Sequence, residues 1–407
     1  MPGRTDCPYM KDCGACRYSL TDYDASVAAK QAWVNSLLGD FAPVEPILRM
    51  EDPFYYRNKV HRVLAPGRRG KPLCGIYAEG SHRIVPVDRC LIEDRVAGEI
   101  CRDLARLVES FRLPVYDEDR RTGLIRHFLV RRSVSTGEVM AVIVTASPVL
   151  PSKKNFVSAL LKLHPEITTV VQNVNSRKTN MVLGDRNIVL SGKGFITDRL
   201  CGLTFRLSPS SFYQVNARQT EVLYRTALDF AGLSGSETVL DTYCGTGTIG
   251  LAAASKAARV IGVELSPDAV RDARANAWAN GISHAEFIQA DATEWMRQTA
   301  EAQAGGSAAS GSTAEATGEE PSPADAPKPT PVDVLFLDPP RAGTTLAFIA
   351  AAAKLAPSRI VYVSCNPETL ARDLTLFGRF GYEAQKIQPV DMFCFAGHVE
   401  SVVLLSR

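Results

Sequence analysis

Val239-Leu240-Asp241-Thr242-Tyr243-Cys244-Gly245-Thr246-Gly247-Thr248-Ile249-Gly250 reads as an apolar strand, a glycine-rich turn and the start of a helix. Glycines in such a turn let the backbone approach a bound ligand closely. Outward from this stretch, short apolar runs at Thr238 to Leu240, Val260 to Val263, Glu286 to Gln289, Val334 to Leu337 and Ile360 to Val363 alternate with helical segments. The alternation predicts a doubly wound parallel sheet of the α/β class. Ser266-Pro267-Asp268 follows the second strand as a helix cap with proline at the first helical position.

Taken alone, the Gly245, Gly247, Gly250 spacing suits a dinucleotide-binding Rossmann domain equally well. The carboxylates favour another ligand. Asp241, Glu264 and Asp291 each follow an apolar strand, at the carboxyl edge where open α/β sheets bind ligands. Nucleotide phosphates disfavour a carboxylate beside the glycine turn, whereas the cationic sulfonium of S-adenosylmethionine tolerates it. Glu264 is placed to accept hydrogen bonds from ribose hydroxyls, and Asp291 to hold the adenine edge. A nicotinamide cofactor is the alternative.

Leu335-Phe336-Leu337-Asp338-Pro339-Pro340-Arg341 ends the next strand of the set, and the strand after it runs into Ser364-Cys365-Asn366-Pro367. A cysteine at a strand end on this edge is placed as a nucleophile; the plain alternative is a buried core thiol. Carbon 5 of uracil is too poor a nucleophile to take a methyl group from a sulfonium, and a thiolate adding to carbon 6 makes it an enolate carbon that can. Asp338 is suited to position the ring or support charge at its carbonyl edge. The hydrogen left on carbon 5 then needs a general base, for which Glu400 in Gly397-His398-Val399-Glu400 is the candidate. Its plain alternative is an exposed residue on an edge strand.

Upstream the pattern differs. A Cys-rich segment and a helical pattern from Tyr23 to Leu38 occupy residues 1–42. Residues 43–206 show short alternating runs, including Lys59 to Leu64, Ile125 to Arg131 and Val139 to Thr145, which predict an antiparallel α+β module. Residues 207–407 form the α/β domain. Within it, Ala302 to Thr330 lacks large apolar residues and is expected to be a disordered insertion. The formal charge of +2 conceals an imbalance, because residues 301–332 hold five acidic residues and one basic. Arg57, Lys59, Arg62, Arg68, Arg69, Lys71, Arg83, Arg120, Arg121, Arg126, Arg131 and Arg132 crowd one region, as a phosphate-binding surface requires; the alternative is an ordinary solvated face. No apolar run is long enough to span a bilayer and no signal peptide is evident, so a cytoplasmic protein is expected. In that compartment the ten cysteines are core residues, metal ligands or reactive thiols rather than disulfides. Cys7, Cys13 and Cys16 sit on one short loop with Cys90 as the fourth thiol, a set that fits either structural zinc or an iron–sulfur cluster. Cys74, Cys101, Cys201, Cys244 and Cys394 are read as packing residues.

Together, Phe212-Tyr213-Gln214-Val215-Asn216, the glycine loop, Asp338-Pro339-Pro340-Arg341, Ser364-Cys365-Asn366-Pro367-Glu368-Thr369-Leu370-Ala371-Arg372-Asp373, Asp391-Met392-Phe393 and His398-Val399-Glu400 resemble the bacterial RNA 5-methyluridine methyltransferase family. The resemblance covers nearly the whole chain. It implies that Cys365 is the nucleophile and Glu400 the base, and that Gln214, Tyr243, Thr248, Glu264, Asp291 and Asp338 line the cofactor or ring pocket. It also implies a [4Fe–4S] cluster on Cys7, Cys13, Cys16 and Cys90, with a structural role. A cysteine cluster without a preceding β-barrel RNA-binding domain resembles the 23S rRNA branch, so a Rossmann-like methyltransferase domain preceded by an iron–sulfur segment and an RNA-binding module, acting as a monomer on 23S rRNA, is expected. A tRNA uracil methyltransferase is the nearest rival; an exocyclic-amine methyltransferase and a non-catalytic RNA-binding iron–sulfur protein are others. The chain departs from the family at Phe393-Cys394 and Ala396, where Phe-Pro and a threonine are usual.

Overall fold

The computed structural model describes residues 7–67, 71–178, 181–306 and 331–407. They group into two compact units, each discontinuous in sequence: Met1–Lys30 with Arg49–Glu221 and Asp391–His398, and Gln31–Leu48 with Val222–Val390 and Val399–Arg407. Contacts between residues far apart in the chain set these cuts, so they fall elsewhere than the pattern changes near residues 42 and 206.

Helices α1 (Met10–Cys13) and α2 (Tyr23–Leu38) precede the first unit's sheet. That sheet contains β1 (Lys59–Pro66), β2 (Pro72–Tyr77), β3 (Ile84–Val85), β4 (Ile125–Arg132), β5 (Val139–Thr145), β6 (Ile167–Val174) and β7 (Arg186–Ser191), in the order β3-β2-β1-β4-β5-β6-β7. All pairs are antiparallel except β5 and β6, which run parallel. The module is therefore mixed rather than antiparallel throughout. A parallel pair needs a crossover, and α4 (Lys153–Leu163) supplies it. Val60, Leu64, Phe128 and Val130 of the sheet bury against Ile100 and Leu104 of α3 (Arg95–Ser110) and Phe156 and Leu160 of α4. Strands β8 (Ile196–Leu200) and β9 (Leu203–Leu207) form a separate hairpin.

The crowded basic residues do not form one surface. Arg62, Arg126 and Arg131 are buried. Arg62 pairs with Glu93, Arg126 donates to the Asn175 and Arg177 carbonyls, and Arg131 donates to the Ser208 and Ser211 carbonyls. These guanidiniums tie loops to the sheet. Lys71, Arg83, Arg120 and Arg121 are exposed; Arg68 and Arg69 lie outside the described residues.

The second unit builds the doubly wound sheet from β10 (Thr238–Thr242), β11 (Arg259–Glu264), β12 (Ala285–Gln289), β13 (Val334–Leu337), β14 (Arg359–Ser364), β15 (Glu383–Val390) and β16 (Glu400–Ser406). Their order is β12-β11-β10-β13-β14-β16-β15. The first five are parallel, while β16 runs antiparallel between β14 and β15. Strand order reverses between β10 and β13, so the ligand crevice of such a sheet opens at their carboxyl ends. Helix α5 (Ala217–Ala231) leads into the sheet region, and α6 (Thr248–Ala254), α7 (Pro267–Ala279), α8 (Ala292–Gly306), α9 (Leu346–Leu355) and α10 (Pro367–Arg379) alternate with its strands. Helix α8 continues through the first residues of the insertion expected from Ala302; residues 307–330 lie outside the described residues. No helix among the described residues is long and apolar enough to cross a membrane.

Candidate active site

At the crevice, β10 passes into the glycine loop and α6. Gly247 has φ 79°, and a Cβ there would lie 2.7 Å from the Phe287 ring, so only glycine fits. At Gly245 a Cβ would meet nothing within 4 Å, so the loop has open space in front of it. Asp241 is buried and accepts the Gly250 amide at 2.8 Å, which makes it the buttress of the loop. Burial pushes its carboxyl up to about 7, against that hydrogen bond.

The other expected cofactor residues are arranged around the same edge. Tyr243 is half-buried and stacks on Phe348, with ring centroids 5.3 Å apart. Thr248 Oγ1 and the Tyr224 hydroxyl share a hydrogen bond of 2.7 Å. Glu264, at the end of β11, accepts from the Gly245 amide at 3.1 Å and the Ser266 amide at 2.8 Å. A carboxylate has about four lone-pair sites, so acceptor capacity remains for hydroxyls. Asp291 is exposed and its Oδ1 accepts from the Glu294 amide at 3.0 Å, so it caps α8. Leu265, 68% exposed beside Glu264, is an apolar side chain at this edge that the sequence reading overlooked. Gln214 belongs to the first unit; its side chain is buried, and its backbone carbonyl accepts from Asn58 Nδ2 at 3.2 Å.

Register places the two candidate catalytic residues. Ser364 of β14 and Ser401 of β16 are the last pair of that ladder, so Cys365 and Glu400 each lie one residue beyond it, close enough for the Glu400 charge to act on the thiol. Cys365 lies in the two-residue junction between β14 and α10. Asn366 caps that helix by accepting the Glu368 amide, and Pro367 is its first residue, so the sequence Asn-Pro ends the strand and leaves the thiol at the sheet edge. Glu400 is 3% exposed and lies in an interior strand, not on an edge. Its Oε2 is buried without a hydrogen-bond partner.

Electrostatics follow from this crowding. Burial pushes Glu400 up to about 8, and nearby Asp338 adds to the shift while Arg341 opposes it. Burial raises Asp338 to about 7. Burial raises the Cys365 thiol to about 11, reinforced by the charges of Glu400 and Asp338 and opposed by Arg341. Arg341 is the compensating cation of this group.

The loop carrying Asp338 and Arg341 is anchored from behind. Buried Asp373 Oδ2 accepts the Thr344 amide at 2.8 Å and the Tyr362 hydroxyl at 2.7 Å, and Oδ1 accepts from Arg372. Arg372 also donates to the Ala342 and Thr344 carbonyls, while Asn366 Nδ2 and Thr369 Oγ1 donate to the Arg341 carbonyl. In the first unit, Asp391 forms a fully buried ion pair with Lys30 at 2.6 Å. Cys394, one of the departures, is buried with its Sγ against the Asp391 carbonyl.

Cys7, Cys13, Cys16 and Cys90 line one small cavity of about 40 Å³ with Leu20 and Ile92. Burial raises the Cys16 thiol to about 12, with the other three thiols adding to the shift. No group of three or more His, Cys, Asp or Glu that could hold a metal ion occurs among the described residues.

The glycine loop, the acidic strand ends and the switch point define a Rossmann-like, S-adenosylmethionine-dependent methyltransferase. Comparison with known proteins narrows this. A methyltransferase-domain family matches residues 233–305, and the tRNA (uracil-5-)-methyltransferase family matches residues 328–407. An uncharacterized RNA methyltransferase of Halalkalibacterium halodurans is 38% identical over 408 residues, covering 98% of this chain and 82% of its own. One from Clostridium tetani is 38% identical over 404 residues, with coverage of 98% and 82%. The crystal structure of Pyrococcus abyssi tRNA (uracil-54, C5)-methyltransferase with S-adenosyl-L-homocysteine superposes with a TM-score of 0.72 at 26% identity, covering 94% of this chain and 83% of that one. The chain belongs to the bacterial RNA uracil-5-methyltransferase family.

Proposed function

We propose that the protein methylates carbon 5 of a uridine in 23S rRNA, with Cys365 as nucleophile and Glu400 as general base. The observation that carries this reading is the Glu400 carboxyl, buried with an unpartnered oxygen and brought by strand register near a half-buried thiol. Cys365 gives up its proton to solvent and adds as the thiolate to carbon 6, and electron density moves toward carbon 5 and the carbon 4 carbonyl, where Asp338 and Arg341 act on the ring and its charge. S-adenosylmethionine supplies the methyl group. Glu400 then takes the hydrogen from carbon 5, the carbon 5 to carbon 6 double bond re-forms, and the sulfur leaves. Tyr243, Thr248, Glu264 and Asp291 hold the cofactor, with Leu265 against its adenine; Gln214 serves the ring pocket. The open space before Gly245 and the acidic strand ends suit a cationic ligand with ribose hydroxyls.

An iron–sulfur cluster on Cys7, Cys13, Cys16 and Cys90 completes the reading, with a structural role. The four thiols line one cavity, and it is the family resemblance that favours an iron–sulfur cluster over one zinc ion. Residues 43–206 serve as the RNA-binding module. The thiol set, by its resemblance, favours 23S rRNA. A second reading, methylation of tRNA, is favoured by the likeness to the Pyrococcus abyssi enzyme, a tRNA (uracil-54, C5)-methyltransferase. Mapping 5-methyluridine across rRNA and tRNA in a strain lacking the protein tests both: loss at one 23S position supports the first, loss in tRNA the second, and no loss in either overturns uridine methylation.

A further inference from the structure

Within the first unit, next to the segment that carries Gln214, lies a half-open cavity of about 370 Å³. Among its lining residues are Tyr55, Asp94, Arg95, Arg132, Val134 and Arg218. Asp94 is fully engaged: Oδ1 caps α3 by accepting the Ala97 amide at 2.9 Å, and Oδ2 pairs with Arg132 at 3.0 Å. Arg132 is thereby neutralised. Arg95 and Arg218 are exposed and have no carboxylate partner among the described residues. Asp52 also lines the cavity, which is left with a single positive charge in excess.

Two features here run against local preference. Arg95 is the first residue of α3, where a cation adds to the positive end of the helix dipole at a cost of roughly 0.3–1 kcal/mol. Tyr55 has φ 54°, the left-handed region that costs an aromatic residue about 1 kcal/mol or more. The surroundings hold both in place. The Tyr55 amide donates to the Leu91 carbonyl at 2.9 Å, its hydroxyl accepts from Arg89, and the Arg95 guanidinium lies 4.0 Å over its ring. The result is a fixed aromatic and cationic platform, with Val134, 52% exposed, on the same cavity. A neighbouring cavity of about 320 Å³ shares Tyr55, Asp94 and Arg95 and adds Arg62, Arg89 and Arg102 against Asp88, Glu93 and Glu99, so its own charges balance and the excess cation lies on the Arg218 side. The two make an elongated groove, which fits a chain better than a lone small ligand.

We propose that this groove binds a single-stranded stretch of the substrate RNA. Phosphates sit on Arg95 and Arg218, where the helix end adds to their field, and a base packs on Tyr55 and Val134. The inference rests on RNA being the substrate, as the preceding reading has it. It adds a docking surface beyond the residues that act on the ring.

The test is equilibrium binding of the full chain to a fluorescein-labelled oligouridylate of about twelve residues, across a salt series. Arg95→Ala and Arg218→Ala should each weaken binding about five- to tenfold and lower the salt slope by about 0.7. Arg95→Lys, which keeps the charge, should retain the slope, and Arg83→Ala, remote from the groove, should change neither quantity. Tyr55→Leu should weaken binding about tenfold at constant slope. Slopes and affinities equal to those of Arg83→Ala, or an oligouridylate that fails to bind the unaltered protein, would overturn the proposal. Methyl transfer is scored separately. Arginine-dependent binding without 5-methyluridine formation upholds the groove and sinks uridine methylation; product formation with unaltered binding does the reverse.

Discussion

Cys365 and Glu400 are brought together because Ser364 of β14 pairs with Ser401 of β16, and both residues lie one step beyond that pair. The proposed base thus sits on a strand, and the proposed nucleophile in the two-residue junction just past the paired strand. The consequence is a separable pair of mutant phenotypes. Cys365→Ala should reduce methylation by roughly 10³-fold or more, since no adduct forms. Glu400→Gln should still form the adduct and transfer the methyl group but stall at elimination, leaving a covalent protein–RNA species stable to denaturing electrophoresis. An exocyclic-amine methyltransferase would keep its turnover after Cys365→Ala, and no adduct would be seen.

The charges around the thiol give a second test. Burial first, then the charges of Glu400 and Asp338, raise Cys365 to about 11, and Arg341 opposes them. At the pH where the thiol titrates Glu400 is already ionised, since its own value is about 8. Glu400→Gln should therefore move the pH profile of Cys365 alkylation by iodoacetamide to lower pH, and Arg341→Ala should move it higher. Mass spectrometry of the peptide containing Cys365 reads both.

The same crowding should be visible in stability. Glu400 is raised from an ordinary carboxyl value to about 8 by burial first and Asp338 second. A folded-state value above the unfolded one means the folded state holds its proton more tightly, so stability is full below about pH 4 and falls as pH rises toward 8. Removing the titration should remove part of that fall. Glu400→Gln should gain about 1–3 kcal/mol over the unaltered protein at pH 8 and converge with it near pH 4, as read by thermal melts at both pH values.

Much of the fold was legible because it rests on local signals. Helix α2 and strands β5 and β13 match their apolar periodicity in full, and the Ser-Pro cap starts α7 where expected; Asn366-Pro367 starts α10 by the same chemistry. What the sequence hid depends on contacts between distant segments. Glu400 looked like a possible edge residue, because nothing local says that β16 inserts between β14 and β15. Arg62, Arg126 and Arg131 looked like part of an RNA surface, because a residue count cannot distinguish a guanidinium bonded to buried carbonyls from one facing solvent. Asp373 was quoted only as part of a motif; its bonds to Thr344 and Tyr362 give it a role.

That role predicts a variant that acts without touching the ring. Asp373→Asn keeps the size but loses the charge that receives Arg372, the Thr344 amide and the Tyr362 hydroxyl. It should cost roughly 2–4 kcal/mol of stability, as expected when a buried, multiply bonded carboxylate is lost. The loop bearing Asp338 and Arg341 should loosen. Turnover should fall more than cofactor affinity, because Thr248 and Glu264 have independent anchors. Equal losses in both would show general unfolding instead.

The cysteine set makes the last prediction. Cys7, Cys16 and Cys90 pack with Leu20, Met50, Tyr56, Ile92, Cys394 and Phe395 in one apolar cluster, and the Arg17 and Tyr18 amides both donate to the Phe395 carbonyl. A cluster held by the four thiols would therefore brace the short loop at Cys394 and Phe395 as well as the N-terminal segment. Thiols raised by burial, Cys16 and Cys90 each to about 12, are poor anions when empty, and a bound cation removes that cost. Cys16→Ser should abolish iron and sulfide incorporation, lower the melting temperature, and speed alkylation of buried Cys394. Full zinc occupancy with no sulfide would replace the cluster by a single-ion site, and unchanged Cys394 alkylation after Cys16→Ser would show that the thiols do not brace that loop.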